Sequence, residues 1–250
     1  MRLDIVIPAH NEEARIDRTL HAYRRSCPPE VRLLVALDSC TDGTERIVRG
    51  HARRDRRVEV FEYPKLGKGG VIAATFERCE ADLVGFVDAD CATPPAEMLR
   101  LARATDHADG AIASRRHPAS VLPAQRPLTR EITSAGFAFG VRRLLQLPYA
   151  DTQCGAKVLR RPVVRDVLPR VRARDLMFDV DLLMAARDLG YRILEVPTIW
   201  IDQEGSRVRP VADTRRMAAS LLRLWVRRRM REGARQHRRV HGTEAARAGT

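Results

Sequence analysis

Residues 83–95 read LVGFVDADCATPP, an apolar run that stops abruptly at two aspartates. The run 83–87 fits a short strand that is buried on both faces of a sheet. Asp88 and Asp90 follow it two positions apart, so in an extended chain their side chains point to the same side. Two carboxylates at the end of a buried strand therefore mark this point as a candidate site.

Like charges held this close need a compensating positive charge. A hard divalent cation that also carries nucleotide phosphates would supply it, because such ions prefer carboxylate oxygens and keep positions open for phosphate. The alternative is a solvated pair of aspartates in a turn that caps a helix starting near Pro94. The pattern alone leaves both interpretations open.

Length and composition indicate one domain with a substantial core. The chain has 250 residues, of which 44% are hydrophobic, which fits a single α/β domain. The sequence contains no run of eighteen apolar residues, so it predicts no transmembrane helix. The N-terminus has no signal-peptide pattern. The five cysteines lack zinc-type spacing. We interpret them as reduced thiols of a cytoplasmic protein.

The positive charge is concentrated near the C-terminus. The formal net charge is +13, and the segment from Arg207 to the end holds 13 arginines and 3 acidic residues. Such a basic segment favours an anionic partner, either lipid headgroups or nucleic acid.

Strand and helix patterns alternate through the first half of the chain. Predicted strands cover 3–8, 31–37, 58–62, 83–87 and 111–114, and predicted helices cover 12–25, 44–53, 70–80 and 95–105. This alternation predicts a mostly parallel central sheet with helices on both faces.

Ligands of such sheets bind outside the carboxyl ends of the strands. Polar residues follow five of the predicted strands at that edge: His10, Asn11 and Glu12; Asp38 and Ser39; Lys68; Asp88 and Asp90; Arg115 and Arg116. Their convergence favours a binding site over a merely structural edge.

Six motifs support a more specific interpretation: IPAHNEE, LDSCTDGT, KLGKGG, FVDADCATPP, DTQCGAK and EVPTIW followed by GSR. In order and spacing, over residues 3–207, they resemble the family 2 glycosyltransferases of GT-A fold. The nearest resemblance is to the polyprenyl-phosphate (dolichyl-phosphate-type) mannosyl- and glucosyltransferases. The resemblance implies a Rossmann-like GT-A catalytic domain over residues 1–208.

The resemblance also implies a nucleotide-sugar site and a metal site. The nucleotide-sugar residues would be Pro8, His10, Asn11, Glu12, Asp38, Ser39, Lys68, Asp88, Ala89, Asp90, Asp151 and Gln153. Asp88 and Asp90 would bind Mg²⁺ or Mn²⁺. Family members often carry a glutamine as a further ligand two positions after the second aspartate, where this chain has Ala92. The third metal ligand therefore stays open.

On the acceptor side, the resemblance suggests four arginines for a lipid phosphate: Arg115, Arg126, Arg130 and Arg207. It also suggests a carboxylate facing the acceptor, Asp181 or nearly equally Asp179. Acids in the first turn of a helix are also explained by the helix dipole. The helical segment 123–147 is either part of the core or a surface for the prenyl chain.

Residues 209–231 predict an amphipathic basic helix, and residues 232–250 predict a disordered tail. Leu221, Leu224 and Trp225 share one face of this helix, with arginines beside it. This face either binds an anionic membrane surface or packs on the catalytic domain. The first alternative predicts a cytoplasmic protein that associates peripherally with the inner face of the cell membrane.

The resemblance thus implies an inverting, metal-dependent hexosyltransferase. It would move a hexose from GDP-mannose or UDP-glucose to a polyprenyl phosphate. One alternative is a glycosyltransferase with a soluble or protein-bound acceptor. Another is a non-catalytic nucleic-acid-binding protein, which the charge suggests but the aromatic content of 5% does not favour. We therefore expect no nucleic-acid partner.

Overall fold

The computed structural model describes residues 1–123, 128–201 and 217–230, with the side chains of 128–133 left out. Arg126, Arg207 and the predicted disordered tail therefore lie outside the described residues, as does the side chain of Arg130.

The first half of the chain alternates strands and helices, as predicted. The strands are β1 (Leu3–Ala9), β2 (Val31–Asp38), β3 (Val58–Tyr63), β4 (Leu83–Val87) and β5 (Gly110–Ser114). The helices between them are α1 (Ile16–Ser26), α2 (Thr44–Arg54), α3 (Lys68–Phe76) and α4 (Pro95–Ala104). In α1 the apolar residues Ile16, Leu20 and Tyr23 form one buried face, as the helical period requires.

Within the described residues, the second half adds two strands and four helices. They are α5 (Leu128–Leu145), β6 (Ala156–Arg160), α6 (Arg161–Val167), α7 (Phe178–Asp188), β7 (Ile193–Pro197) and a last helix, α8, over residues 217–230. Short 3-10 helices cover Thr105–His107 and Leu168–Arg170.

The seven strands form one mixed sheet in the order β3-β2-β1-β4-β6-β5-β7. β6 runs antiparallel to both of its neighbours, β4 and β5, and the other pairs are parallel. The mostly parallel sheet is therefore confirmed, and β6 is its single reversed strand. Because β6 lies beside β4, the segment leading into β6 comes next to Asp88.

Each face of the sheet carries its own hydrophobic core. Alternate residues of β1 show this, since Val6 belongs to one buried cluster and Ile5 and Ile7 belong to the other. Helices therefore cover both faces, as the sequence predicted.

α8 packs on the domain. Leu221 and Leu224 belong to the hydrophobic core, with 7% and 5% of their surface exposed. Ser220 Oγ donates to Asp175 Oδ2 at 2.8 Å. The structure therefore shows that the face of Leu221 and Leu224 packs on the domain, which is the second of the two predicted alternatives.

None of the helices in the described ranges is long and apolar enough to cross a membrane.

Candidate active site at the carboxyl ends of the strands

A cleft of about 370 Å³ opens at the carboxyl ends of β1, β2 and β4. Eight of the twelve predicted nucleotide-sugar residues line it: Pro8, His10, Glu12, Asp38, Lys68, Asp88, Ala89 and Asp90. Ala9, Arg15, Lys65, Gly67, Val71 and Leu176 complete its wall. The sheet thus gathers at one edge residues that lie far apart in the chain, from Pro8 to Leu176.

The turn after β4 is held in place by backbone contacts. Thr19 Oγ1 donates to the carbonyl of Ala89 at 2.7 Å, and Asp90 Oδ1 accepts from the amide of Ala92 at 2.9 Å. Cys91 adopts a left-handed φ of 59°, which turns the chain away from the strand. The direction of the two carboxylates is therefore set by the fold.

Asp88 is paired with Lys68, the first residue of α3. Lys68 Nζ lies 2.5 Å from Asp88 Oδ1. Burial disfavours the lysine charge, but the carboxylates of Asp88 and Asp179 outweigh it and raise the pKa of Lys68 above the ordinary value. Burial and the neighbouring Asp88 raise the pKa of Asp90. The cleft floor is therefore a compact group of alternating charges.

Asp38 fixes the loop that carries Lys68. Its Oδ1 accepts from the amides of Leu66 and Gly67 at 2.7 and 3.3 Å, and its Oδ2 lies 3.1 Å from Lys65 Nζ. Gly67 has a φ of 77°, where a side chain would be strained. The structure therefore gives this carboxylate a positioning function, and its predicted contact with base or ribose remains a prediction.

The loop after β1 is tied to the loop after β2. His10 Nδ1 lies 2.6 Å from the carbonyl of Asp38. Asn11, at a left-handed φ of 55°, accepts from the amide of Thr41 at 2.7 Å and donates to its hydroxyl at 3.1 Å. Ser39 is also left-handed, and its side chain is exposed. Asn11 and Ser39 thus shape the rim and do not line the cleft.

Asp88 and Asp90 suit a divalent ion whose remaining ligands come from the substrate. Within the described part of the chain, no group of three or more His, Cys, Asp or Glu residues is arranged to hold a metal. Mg²⁺, however, is commonly held by one or two carboxylates together with substrate phosphates. Glycine at position 155 leaves room for the Asp88 carboxylate, since a Cβ there would lie 1.9 Å from Asp88 Oδ2. The residues present therefore fit such an ion.

A buried ion pair beneath the cleft was missed by sequence analysis. Lys157 Nζ lies 2.5 Å from Asp179 Oδ1 and donates to the carbonyl of Cys154 at 2.7 Å. Lys157 and Lys68 approach the same Phe86 ring, at 5.2 and 6.0 Å from its centroid. The available signal was composition, because Lys157 is one of only three lysines in an arginine-rich chain.

Arg115 and Asp151 were predicted as ligands of different groups, but they contact each other. Arg115 forms a bidentate pair through Nε and a terminal nitrogen, at 2.7 and 2.9 Å from the two carboxylate oxygens of Asp151. Burial would raise the pKa of Asp151, but Arg115 overrides it and lowers that pKa to about 2. The guanidinium also stacks 4.9 Å from the Trp200 ring. Neither residue lines the cleft.

Gln153 reaches the cleft indirectly. Its Nε2 donates to the carbonyl of Leu176 at 3.0 Å, and Leu176 lines the wall. Gln153 therefore positions the loop before α7.

Both candidates for the acceptor carboxylate are buried and engaged. Asp181 Oδ2 accepts from the amides of Arg172 and Ala173 at 2.7 and 2.9 Å, and Oδ1 pairs with Arg227 of α8. Asp179 pairs with Lys157. In this structure Asp181 anchors the loop before α7 and also holds α8, and its predicted contact with the acceptor remains a prediction.

Comparison with known proteins decides the family. Residues 4–168 match the family model Glycosyl transferase family 2. The chain belongs to this family. The resemblance predicted from the motifs is thereby confirmed.

The names of two proteins similar to this glycosyltransferase include a lipid phosphate. The chain is 29% identical over 245 residues to dolichyl-phosphate beta-glucosyltransferase of Drosophila melanogaster, covering 91% of this chain and 75% of that protein. It is 31% identical over 210 residues to undecaprenyl-phosphate mannosyltransferase of Micrococcus luteus, covering 82% and 85%. It is also 29% identical over 234 residues to glycosyltransferase AglD of Haloferax volcanii, covering 90% of this chain but 37% of that longer protein.

The fold also matches a solved structure. Glucosyl-3-phosphoglycerate synthase from Mycobacterium tuberculosis, crystallised with Mn²⁺, uridine diphosphate and glucosyl-3-phosphoglycerate, superposes with a TM-score of 0.63 at 16% identity. The match covers 88% of this glycosyltransferase and 77% of that chain. At this identity the likeness concerns the fold, and the GT-A prediction is confirmed.

Proposed function

We propose that this glycosyltransferase moves a hexose from a nucleotide-sugar, GDP-mannose or UDP-glucose, to a polyprenyl phosphate with inversion at the anomeric carbon. The observation that carries the proposal is the cleft in which Lys68, Asp88 and Asp90 meet at the carboxyl ends of the strands. The relatives' names supply the acceptor class.

The chain's own residues bind and orient the donor. Lys68 begins α3, so its ammonium and the helix N-terminus both suit a diphosphate. The anchored Asp38 holds the loop of Lys68, and the linked loops around His10 and Asn11 form the side where base and ribose would lie. Preorganised charges of this kind cost little reorganisation during reaction.

Asp88 and Asp90 would hold Mg²⁺ or Mn²⁺. When bound, the ion would neutralise the negative charge that grows on the departing nucleoside diphosphate.

The acceptor needs little help from a general base. A phosphate monoester has a second pKa of about 6, so most of it is already dianionic at neutral pH. Its oxygen can attack the anomeric carbon directly, as the bond to the nucleoside diphosphate breaks. This agrees with the buried, engaged state of Asp179 and Asp181.

Arginines remain the proposed partners of the acceptor phosphate, because charge-assisted bidentate bonds recognise phosphate well. Arg126, Arg130 and Arg207 stay in this group as predictions from the sequence. Arg115 leaves the group in our proposal, since Asp151 occupies its guanidinium.

Two assays test the proposal. In a thermal-shift panel of GDP-, UDP- and dTDP-sugars, we expect stabilisation by one donor class with Mg²⁺ or Mn²⁺ and its loss on chelation. With the radiolabelled donor and a polyprenyl phosphate, we expect label in the organic phase. Label confined to water-soluble products would instead favour the soluble or protein-bound acceptor. Salt-sensitive nucleic-acid binding without any donor binding would favour the non-catalytic alternative.

A further inference from the structure

The chain has three lysines, and each of them pairs with an aspartate. Two of these aspartates are firmly held. Asp179 is buried with Lys157, and 4% and 1% of the two side chains are exposed. Asp38, the partner of Lys65, also accepts hydrogen bonds from two backbone amides. These two aspartates are therefore part of the folded framework.

The third pair, of Lys68 with Asp88, is open to the cleft. The two side chains are 25% and 29% exposed, and both line the candidate active site. Within the described part of the chain, the Asp88 carboxylate has no other hydrogen-bond or ion-pair partner. The backbone of Lys68 is fixed at the start of α3, but its ammonium is carried by a flexible four-carbon chain. This contact can therefore open without a change in the fold.

Lys68 supplies the positive charge that two neighbouring carboxylates need. Asp88 and Asp90 repel each other, and a cation beside them offsets the repulsion. One ammonium does not offset it fully, because burial and the neighbouring Asp88 still raise the pKa of Asp90. A divalent ion carries twice the charge and binds carboxylate oxygens directly. Asp88 therefore suits either cation, and the two cations would repel each other if both stayed there.

We propose that Lys68 occupies Asp88 as an internal counterion until a divalent ion takes its place, and that the released ammonium then binds the diphosphate of the donor. Lys68 thus acts first as a competitor of the ion and afterwards as a partner of the nucleotide. The inference deepens the proposed sugar transfer and rests on it for the identity of the donor. It adds a coupling between the two ligands, since displacement of Lys68 frees the charge that the diphosphate needs.

Metal and nucleotide should consequently strengthen each other's binding. An ion at Asp88 frees Lys68 for the diphosphate, and a diphosphate that holds Lys68 leaves Asp88 free for the ion. Coupling between two ligands is reciprocal, so it can be measured from either side. Without Lys68 this part of the coupling is lost, because Asp88 is then free from the start.

Titration of the full chain with Mn²⁺ alone tests the competition, with free Mn²⁺ measured by electron paramagnetic resonance. Lys68→Met should bind Mn²⁺ about tenfold more tightly than wild type, since a charge-assisted contact no longer has to be broken. Lys68→Arg keeps a cation beside Asp88 and should bind Mn²⁺ no more tightly than wild type. Lys68→Met combined with Asp88→Asn should lose the gain, because the carboxylate in question is then absent.

Lys65→Met is the matched control for net charge. Lys65 lies three positions before Lys68 and lines the same cleft, but it pairs with Asp38. This variant also removes one positive charge, and its Mn²⁺ affinity should change much less because Asp88 keeps its partner. Lys68→Gln provides a second uncharged variant if Lys68→Met lowers the melting temperature.

Titrations with UDP and with GDP, each with and without Mn²⁺, measure the coupling. In wild type, Mn²⁺ should raise the affinity for the nucleotide that binds, and in Lys68→Met this gain should shrink. Failure of both nucleotides to bind would overturn the sugar-transfer proposal and the second step. The titration with Mn²⁺ alone decides separately whether Lys68 competes for Asp88.

Weaker or unchanged Mn²⁺ binding by folded Lys68→Met would overturn the competition, because Lys68 would then support the ion or leave it unaffected. An equal gain in Lys65→Met would also overturn it, since net charge alone would explain both results. A gain that survives Asp88→Asn would place the ion away from Asp88, with the same consequence.

Discussion

Lys68 Nζ lies 2.5 Å from Asp88 Oδ1, so the start of α3 and the end of β4 meet in one ion pair at the cleft floor. Both side chains are about a quarter exposed, and a bound ligand can therefore reach them. The pair joins a cation suited to phosphate with a carboxylate suited to a metal ion.

Lys68→Met should weaken nucleoside diphosphate binding about ten- to a hundredfold, because a charge-assisted bond contributes about 1.5–3 kcal/mol. Isothermal titration calorimetry measures the dissociation constant of the nucleoside diphosphate. Lys65→Met is the control in the same loop, since Lys65 is 57% exposed and pairs with Asp38. We expect a smaller loss there. Equal losses of affinity in the two variants would contradict a specific role of Lys68 in binding the nucleoside diphosphate.

Gly155→Ala should impair metal-dependent nucleotide binding while the protein stays folded. The new Cβ would lie 1.9 Å from Asp88 Oδ2, so the carboxylate must move. Gly50→Ala is the matched control, because nothing lies within 4 Å of a Cβ in the middle of α2. That change should raise stability by up to about 1 kcal/mol. Normal nucleotide binding by Gly155→Ala would contradict the expected displacement of the Asp88 carboxylate.

Lys157→Met should lower the free energy of unfolding by about 3–5 kcal/mol, since Asp179 would remain buried without its partner. Urea unfolding measures the loss. The double variant Lys157→Met with Asp179→Leu should recover much of it, because apolar residues of similar volume can replace a buried pair. If the double variant is no more stable than Lys157→Met alone, the pair is not the cause.

Arg115→Met should destabilise the protein most at neutral pH. The pKa of Asp151 is lowered in the folded state, from 3.8 to about 2. The pair therefore stabilises the fold above about pH 4, by about 2 kcal/mol, and this contribution is lost as the pH falls from about 4 to about 2. Unfolding over a pH series should show the gap between variant and wild type closing in that window.

The control for this pH series is Arg165→Met. Its pair with Asp166 is exposed, with 77% and 39% of the two side chains accessible, so it should contribute little to stability. A gap for Arg115→Met that stays constant down to pH 2 would contradict the pairing.

The parts of the fold that depend on local pattern were predictable. The apolar run before Asp88 and the alternation of strands and helices predicted the sheet and placed eight cleft residues at one edge. Partners that meet only through long-range packing were not predictable. The sequence shows that Arg115 and Asp151 are charged, but not that they pair with each other across 36 positions. It also gives no sign that β6 reverses beside β4, which brings Gly155 and Lys157 to the site.

Asp90→Asn tests whether the second carboxylate of the cleft floor is needed for sugar transfer. The measurement is the transfer of radiolabelled hexose to a polyprenyl phosphate with saturating Mn²⁺, compared between wild type, Asp90→Asn and Asp106→Asn. Asp106 is an exposed residue outside the cleft. We expect labelled lipid from wild type and Asp106→Asn, and a loss of at least about a hundredfold in Asp90→Asn, the scale of removing one preorganised electrostatic group. Undiminished turnover by a folded Asp90→Asn protein would contradict it.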